Sequence, residues 1–136
     1  LKIKNLNMKN VNPVVWFEIY VEDMARAKKF YETVFDLKLN EMPMPDTGDE
    51  MEMLFFPGSM EAQNTISGAL VKMSGVPAGG NSTIVYFISE DCAIEEARVA
   101  RAGGQVMKSK MSLGDYGHMV LATDTEGNMI GIHSMA

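Results

Sequence analysis

Alternating apolar and polar positions near the start of the chain predict a β-strand followed by an amphipathic helix. Residues 14–21 are rich in β-branched and aromatic side chains. Their alternation places Trp16, Glu18 and Tyr20 on one face of the predicted strand. From 24 to 35, apolar residues recur at the three- and four-residue spacing of a helix that buries one face. Together the two patterns predict a β-α unit.

Local signals mark the ends of this helix, and the same patterns continue along the chain. Asp23 is suited to cap the N-terminus, and Asp36 tolerates the left-handed conformation that often ends a helix. The remaining predicted elements are, in chain order, an extended segment at 37–44, strands at 50–56, 65–73 and 83–88, a helix at 91–102, and strands at 105–111, 118–123 and 128–134.

A linker rich in glycine, residues 74–81, divides the chain near its middle. The elements after it repeat the order of those before it, so each half is predicted to be a β-α-β-β-β module. We therefore expect one α+β domain over 13–136, with modules at 13–73 and 82–135 and an N-terminal extension over 1–12.

Composition and charge exclude several classes of partner. The 136 residues carry a net charge of −6, which opposes the phosphate contacts that supply most nucleic-acid affinity. No apolar run reaches the roughly 20 residues that a membrane-spanning helix needs, and the start lacks the continuous apolar region of a signal peptide. We expect a cytoplasmic protein with neither nucleic acid nor membrane as a partner. The 13 methionines predict adaptable core packing.

The single cysteine, Cys92, is interpreted as a packing thiol, because Glu90 and Asp91 beside it disfavour a thiolate. One cysteine also rules out an internal disulfide. The sequence shows no nucleotide-binding glycine motif, no nucleophile with a recognisable base and no zinc-ligand spacing. The common enzyme templates therefore assign no chemistry to the chain.

Two segments resemble one known superfamily, in the right order and at the right separation. Residues 18–35, EIYVEDMARAKKFYETVF, resemble the first strand and helix of glyoxalase, bleomycin-resistance and extradiol-dioxygenase proteins. Residues 124–128, DTEGN, resemble their last hairpin. The chain is thus similar to the vicinal oxygen chelate superfamily over 12–134. The resemblance implies paired βαβββ modules whose curled mixed sheets form a cleft, and a homodimer that covers the sheet edges.

The side chains that hold a metal ion in this superfamily are missing at the matching positions. The resemblance places those positions at Trp16, Gly68, Thr83 or Ile84, and Gly131. None of these side chains is a useful metal ligand. The superfamily's known chemistry relies on a divalent ion that stabilises developing enolate charge. We therefore expect no metal, no other cofactor and no ordinary glyoxalase activity.

Glu18 is the candidate catalytic residue, because it is an acid in the middle of a strongly apolar strand. A carboxylate left unpaired in an apolar cleft resists ionisation, which is how a general acid or base is commonly prepared. The alternative is an acid at the rim that is paired with a cation or bonded to backbone. The pattern leaves both possibilities open.

Aromatic side chains are the main candidates for ligand binding. Trp16, Tyr20 and Tyr86 could line the cleft with apolar surface and polar tips, although core packing explains them almost as well. Tyr116 lies in a glycine-flanked segment that could form a lid over a bound molecule.

The two histidines offer a further binding residue and a rival metal site. His133 follows Gly131 by two residues, so strand alternation points it towards the same side. The alternative for His133 is a hydrogen bond to backbone at the rim. A relocated metal site of Glu18, His118 and His133 can also be drawn, with donors suited to zinc, nickel or iron.

These observations favour a protein that binds a small organic ligand, as a metal-independent isomerase or lyase that uses Glu18 in an aromatic cleft. One competing hypothesis is a non-catalytic protein that sequesters its ligand, as resistance proteins do. Others are a metal enzyme with the relocated site and a mainly structural dimer.

Overall fold

The computed structural model describes residues 10, 12–42, 50–58 and 66–136. The first half contains β1 (Trp16–Tyr20), α1 (Met24–Phe35), β2 (Met51–Phe55) and β3 (Ser67–Met73). The second half contains β4 (Val85–Ile88), α2 (Cys92–Val99), β5 (Gln105–Ser112), a 3-10 turn (Gly114–Tyr116), β6 (His118–Thr123) and β7 (Met129–Ser134).

Helix α1 begins and ends where its capping residues predict. The Asp23 carboxylate accepts a hydrogen bond of 3.0 Å from the backbone N–H of Arg26, which satisfies a donor of the first turn. Asp36 takes the left-handed conformation, with φ 50° and ψ 54°, and ends the helix. The buried face consists of Ala27, Phe30, Tyr31 and Val34.

Two open mixed sheets form the α+β fold, as the sequence predicts. The first has the strand order β1-β3-β2, with β1 parallel to β3 and β2 antiparallel to it. The second has the order β4-β7-β6-β5, with β4 parallel to β7 and the other pairs antiparallel. The leading strand of each half, β1 and β4, is therefore an edge strand.

The predicted extended segment at 37–44 contributes only an isolated bridge in its described part, 37–42. Asn40 exchanges hydrogen bonds of 2.9 and 2.8 Å with Phe55 of β2. The preceding N–H, that of Leu39, donates instead to the Glu32 carboxylate, so it is not available to a strand ladder. The rest of the segment, 43–44, lies outside the described residues.

One core joins the two halves. Phe30 of α1 packs in the same buried cluster as Val99 of α2 and Ala122 of β6. Aromatic rings add to this contact, since Phe35 stacks on Phe87 of β4 at 4.4 Å between ring centroids. Cys92 is fully buried in a smaller cluster with Val120 and Ile132, in the surroundings expected of a packing thiol.

The turn between β6 and β7 fixes the start of α1 through a buried carboxylate. Glu126 accepts hydrogen bonds from the backbone N–H groups of Glu22 and Asp23, at 2.9 and 2.8 Å. Its two oxygens also accept from the Arg26 guanidinium at 2.7 and 3.0 Å. Burial alone would raise the pKa of Glu126, but these donors and the Thr125 hydroxyl outweigh it and lower the pKa to about 2.

Asp124 and Asn128 complete this turn. Asp124 accepts from the backbone N–H groups of Glu126 and Asn128, and from the buried Tyr31 hydroxyl at 2.7 Å. The Asn128 amide donates to the carbonyl of Tyr20 at 2.9 Å. The hairpin at residues 124–128 therefore connects β1 and α1 to the second sheet through hydrogen bonds. It is one of the two segments that resemble the superfamily. Among the described residues, no helix has the length and apolarity needed to cross a membrane.

Candidate functional site

A groove of about 900 Å³ runs along the two edge strands. Strand β1 contributes Trp16, Glu18 and Tyr20, and β4 contributes Tyr86 and Ile88. Further lining residues come from the segments around them: Asn12, Val14, Leu37, Phe56, Pro57, Ile66, Pro77, Gly79, Asn81, Thr83 and Ile84. The groove is thus mainly aromatic and aliphatic, with a few polar groups.

Hydrogen bonds between their side chains show that Trp16, Glu18 and Tyr20 share one face of β1, as the alternation predicts. The Trp16 indole N–H donates to Glu18 Oε2 at 3.2 Å, and the Tyr20 hydroxyl donates to Glu18 Oε1 at 2.8 Å. The alternate residues Phe17 and Ile19 pack with the core, although both also border the groove.

The carboxylate of Glu18 is exposed and partnered, whereas the catalytic hypothesis assumed that it would be buried and unpaired. The physical reason is topological: β1 is an edge strand, and its outer face opens into the groove. The hydrogen bond to Glu18, with burial and the carboxylate charge, raises the pKa of Tyr20. Glu18 and its two aromatic neighbours thus form a polar cluster, which we call the Glu18 cluster.

Tyr86 forms the opposite wall by lying across a glycine. Register pairs Tyr86 with Gly131 of β7, and a Cβ at Gly131 would collide with the Tyr86 ring. Because Gly131 has no side chain, the ring rests on the sheet while 47% of Tyr86 stays exposed.

Gly68 lies opposite Phe17 in the first sheet and not opposite Trp16. Register pairs Gly68 with Phe17, and a Cβ at Gly68 would collide with the Phe17 ring. The residue paired with Trp16 is Ser67. Because neighbouring residues of a strand point to opposite faces, Gly68 does not share a face with Trp16.

His133 and Tyr116 meet each other but do not line the groove. The His133 Nε2 atom lies 2.6 Å from the carbonyl oxygen of Tyr116. This contact is the hydrogen bond to backbone that the sequence predicts as the alternative role of His133. The Tyr116 residue is 78% exposed. The structure therefore assembles Trp16, Glu18, Tyr20 and Tyr86 at one site and leaves these two residues outside it.

The relocated metal site of Glu18, His118 and His133 is not assembled. Register places His118 opposite Ser134 and Met119 opposite His133, so the two histidines lie on opposite faces of the second sheet. Within 10, 12–42, 50–58 and 66–136, no group of three or more His, Cys, Asp or Glu residues is placed to hold a metal ion.

Sequence reasoning missed that the linker lines part of the groove. The N–H of Gly79 donates to the Asn128 side-chain oxygen at 2.8 Å, and the same amide holds the carbonyl of Tyr20. Pro77 and Asn81 of this linker line the groove. The composition of the linker gave no signal for this role, since the contact depends on Asn128 from the far end of the chain.

Comparisons with known proteins agree with this architecture. The family model "Bleomycin resistance protein-like N-terminal" matches residues 14–48. Proteins named "Putative glyoxylase CFP32" from Mycobacterium bovis and Mycobacterium tuberculosis are 29% identical over 122 residues, which cover 86% of this chain and 43% of theirs. The chain thus spans less than half the length of these relatives.

Solved structures share the fold at low sequence identity. An antibiotic-binding protein, TnmS3, from Streptomyces sp. CB03234 is 22% identical, with a TM-score of 0.63 over 93% of this chain and 98% of that one. Glyoxalase I from Zea mays is 20% identical, with a TM-score of 0.67 over 88% of this chain and 45% of that one. One fold therefore serves proteins described as an antibiotic binder and as an enzyme.

Proposed function

We propose that this chain, which is similar to glyoxalase and bleomycin-resistance proteins, binds a small organic ligand in the groove between β1 and β4. The observation that carries the proposal is the groove itself. Its volume of about 900 Å³ is that of a ligand pocket, and a few polar groups interrupt its apolar walls.

The Glu18 cluster favours binding over acid-base catalysis. An acid or base of the expected kind needs a carboxyl group confined in an apolar site, whereas Glu18 is exposed and accepts hydrogen bonds at both oxygens. A carboxylate held in one orientation is well suited to anchor a polar group of a ligand. A ligand-sequestering role is therefore our first choice over an isomerase or lyase, and TnmS3, which shares the fold, is described as an antibiotic-binding protein.

The groove does not fit the metal centre that the superfamily implies. Glu18 is the only carboxylate among its described lining residues, and no histidine or cysteine joins it there. The positions matched to the superfamily's metal ligands, which are Trp16, Gly68, Thr83 or Ile84, and Gly131, supply no donor that zinc, nickel or iron would accept. We derive no catalytic step from a metal ion in this protein.

A ligand screen with a pair of matched tyrosine variants tests the proposed function. Small aromatic and dicarbonyl compounds are ranked by the rise in melting temperature and by quenching of Trp16, the single tryptophan of the chain. Tyr86→Ala removes a groove wall and is expected to abolish both signals. Tyr116→Ala, at an exposed residue outside the groove, is expected to leave them unchanged.

Two outcomes of the screen would count against the proposal. One is that no compound quenches Trp16, and the other is that Tyr86→Ala binds a hit as tightly as the parent chain. Mass spectrometry of the hits after incubation separates the roles, because a sequestering protein returns the compound intact and an isomerase or lyase changes it.

We further propose a homodimer in which the partner covers an open sheet edge. Ile88 of the edge strand β4 is 91% exposed, which is unusual for a large apolar side chain in a strand. Sedimentation of the parent chain and of Ile88→Lys tests this. A parent chain that stays monomeric well above micromolar concentration contradicts it.

A further inference from the structure

The described residues that line the groove carry negative charge only. Glu18 is the only acidic or basic side chain among the described residues that line it. A neighbouring cavity of about 660 Å³ is different, because there Lys72 lies with Glu22, Glu50 and Glu52. Within the described chain, the charge of Glu18 therefore has no basic partner among the groove walls.

We propose that the ligand is a flat aromatic cation whose positive group binds to the Glu18 carboxylate, an inference that rests on the groove being the binding site. A ligand seated over Glu18 displaces water from the carboxylate. That displacement is unfavourable unless the ligand returns a hydrogen-bond donor or an opposite charge. A cation returns both, and a carboxylate or phosphate ligand returns neither.

The geometry of the Glu18 cluster supports this class of ligand. The Trp16 indole N–H and the Tyr20 hydroxyl both donate to Glu18, so neither needs a hydrogen-bond acceptor from the ligand. Both carboxylate oxygens retain lone pairs for a further donor. The two rings beside the carboxylate also attract a cation through their π faces, and desolvation strengthens that attraction.

The aromatic walls of the groove favour an aromatic ligand. Tyr86 lies along the second sheet over Gly131, and Trp16 belongs to the opposite edge strand. Rigid aromatic walls favour a flat ligand, since stacked or edge-on rings gain energy beyond the burial of apolar area. The net charge of −6 on the whole chain acts in the same direction by attracting cations to the surface.

Three probes of one shape and different charge test the inference on the full chain. They are 9-aminoacridine, which is a cation at neutral pH, acridine, which is neutral, and acridine-9-carboxylate, which is an anion. Calorimetric titration is run on the parent chain, on Glu18→Gln and on Glu90→Gln. The last variant removes the same charge from an exposed site outside the groove.

We expect the cation to bind the parent chain most tightly and the anion least tightly. Glu18→Gln should weaken the cation about 10- to 100-fold, as the loss of a charged hydrogen bond does, and should leave the neutral probe nearly unchanged. Glu90→Gln should change none of the three. Melting curves check that each variant is folded.

Failure of this inference differs from failure of the proposed function. If acridine binds as tightly as the cation, or if Glu18→Gln and Glu90→Gln weaken the cation equally, the groove still binds organic molecules but the charge preference is wrong. If no probe binds and the compound screen also finds no ligand that depends on Tyr86, both proposals are wrong.

Discussion

Glu18 and Glu126 are the same side chain in two opposite settings. Glu18 lies on an edge strand with its carboxylate exposed, and its partners are the side chains of Trp16 and Tyr20 on the same strand. Glu126 is buried, and its partners come from residues about a hundred positions earlier in the chain. The first carboxylate faces the groove, and the second holds the fold together.

The difference shows that an apolar stretch of sequence is a poor guide to whether an acid within it is buried. Glu18 attracted the catalytic hypothesis because its neighbours are apolar, yet its strand leaves one face open. Glu126 sits in an ordinary polar turn, yet its pKa is lowered to about 2. Burial and partners set the pKa of a carboxyl group, and the local sequence shows neither.

The largest expected effect of a single substitution is at Glu126. Glu126→Gln removes a buried charge that accepts from the Arg26 guanidinium and two backbone N–H groups; because Arg26 itself is half-exposed, the free energy of unfolding should fall by roughly 2–4 kcal/mol. For a domain of this size the melting temperature should fall by roughly 10 °C. Urea denaturation measures the free energy of unfolding, and a thermal melt measures the melting temperature.

The matched variant Glu18→Gln sharpens this contrast. Since Glu18 is exposed, the free energy of unfolding should change by no more than about 0.5 kcal/mol. Equal losses at the two sites would contradict the division between a structural and a groove carboxylate.

Protonation of Glu126 should lower the stability of the protein in a defined range of acidic pH. The pKa of this group is about 2 in the folded chain against an ordinary value of 4.5, so the folded state binds fewer protons. Its contribution is therefore complete above about pH 5, falls as the pH drops through 4.5 towards 2, and amounts to roughly 3 kcal/mol.

Urea denaturation at a series of pH values measures this loss. The parent chain should lose stability over the window, and Glu126→Gln should show a shallower dependence because it lacks the group. Parallel curves for the two proteins would mean that other carboxyl groups cause the acid sensitivity.

Features fixed by neighbouring residues could be predicted from the sequence. Helix α1 has its predicted bounds because Asp23 and Asp36 act within one turn of its ends. The shared face of Trp16, Glu18 and Tyr20 follows from strand alternation alone.

Features fixed by distant pairing could not be predicted. The face that Gly68 shares with residues of β1 depends on the register between β1 and β3, and a slip of one residue would reverse it. The exposure of Glu18 depends on β1 being an edge, which only the strand order decides. The position of the linker beside the groove depends on a hydrogen bond to Asn128, which lies 49 residues beyond Gly79.

The contrast between a buried and an exposed carboxylate also applies to the tyrosines that donate to such groups. The expected changes in the free energy of unfolding are smaller there. Tyr31 is buried and donates to Asp124 at 2.7 Å, and Tyr20 donates to Glu18 in the groove. Tyr31→Phe should lower the free energy of unfolding by about 1.5–3 kcal/mol, because a buried charged acceptor loses a donor. Tyr20→Phe should cost less than about 0.5 kcal/mol. Thermal melts of both variants test this, and an equal cost would contradict it.

The smallest expected effect is a change in the pKa of the Tyr20 hydroxyl. The hydrogen bond to Glu18 is the main cause that raises the pKa of Tyr20, so Glu18→Gln should let this tyrosine ionise at lower pH than in the parent chain. Ultraviolet absorbance of tyrosinate between about pH 9 and 12 follows the change. Tyr31 should not interfere, because burial and Asp124 raise its pKa well above the ordinary value. In a Tyr20→Phe background the same substitution should leave the titration curve unchanged, and a shift that persists there would assign the effect to another tyrosine.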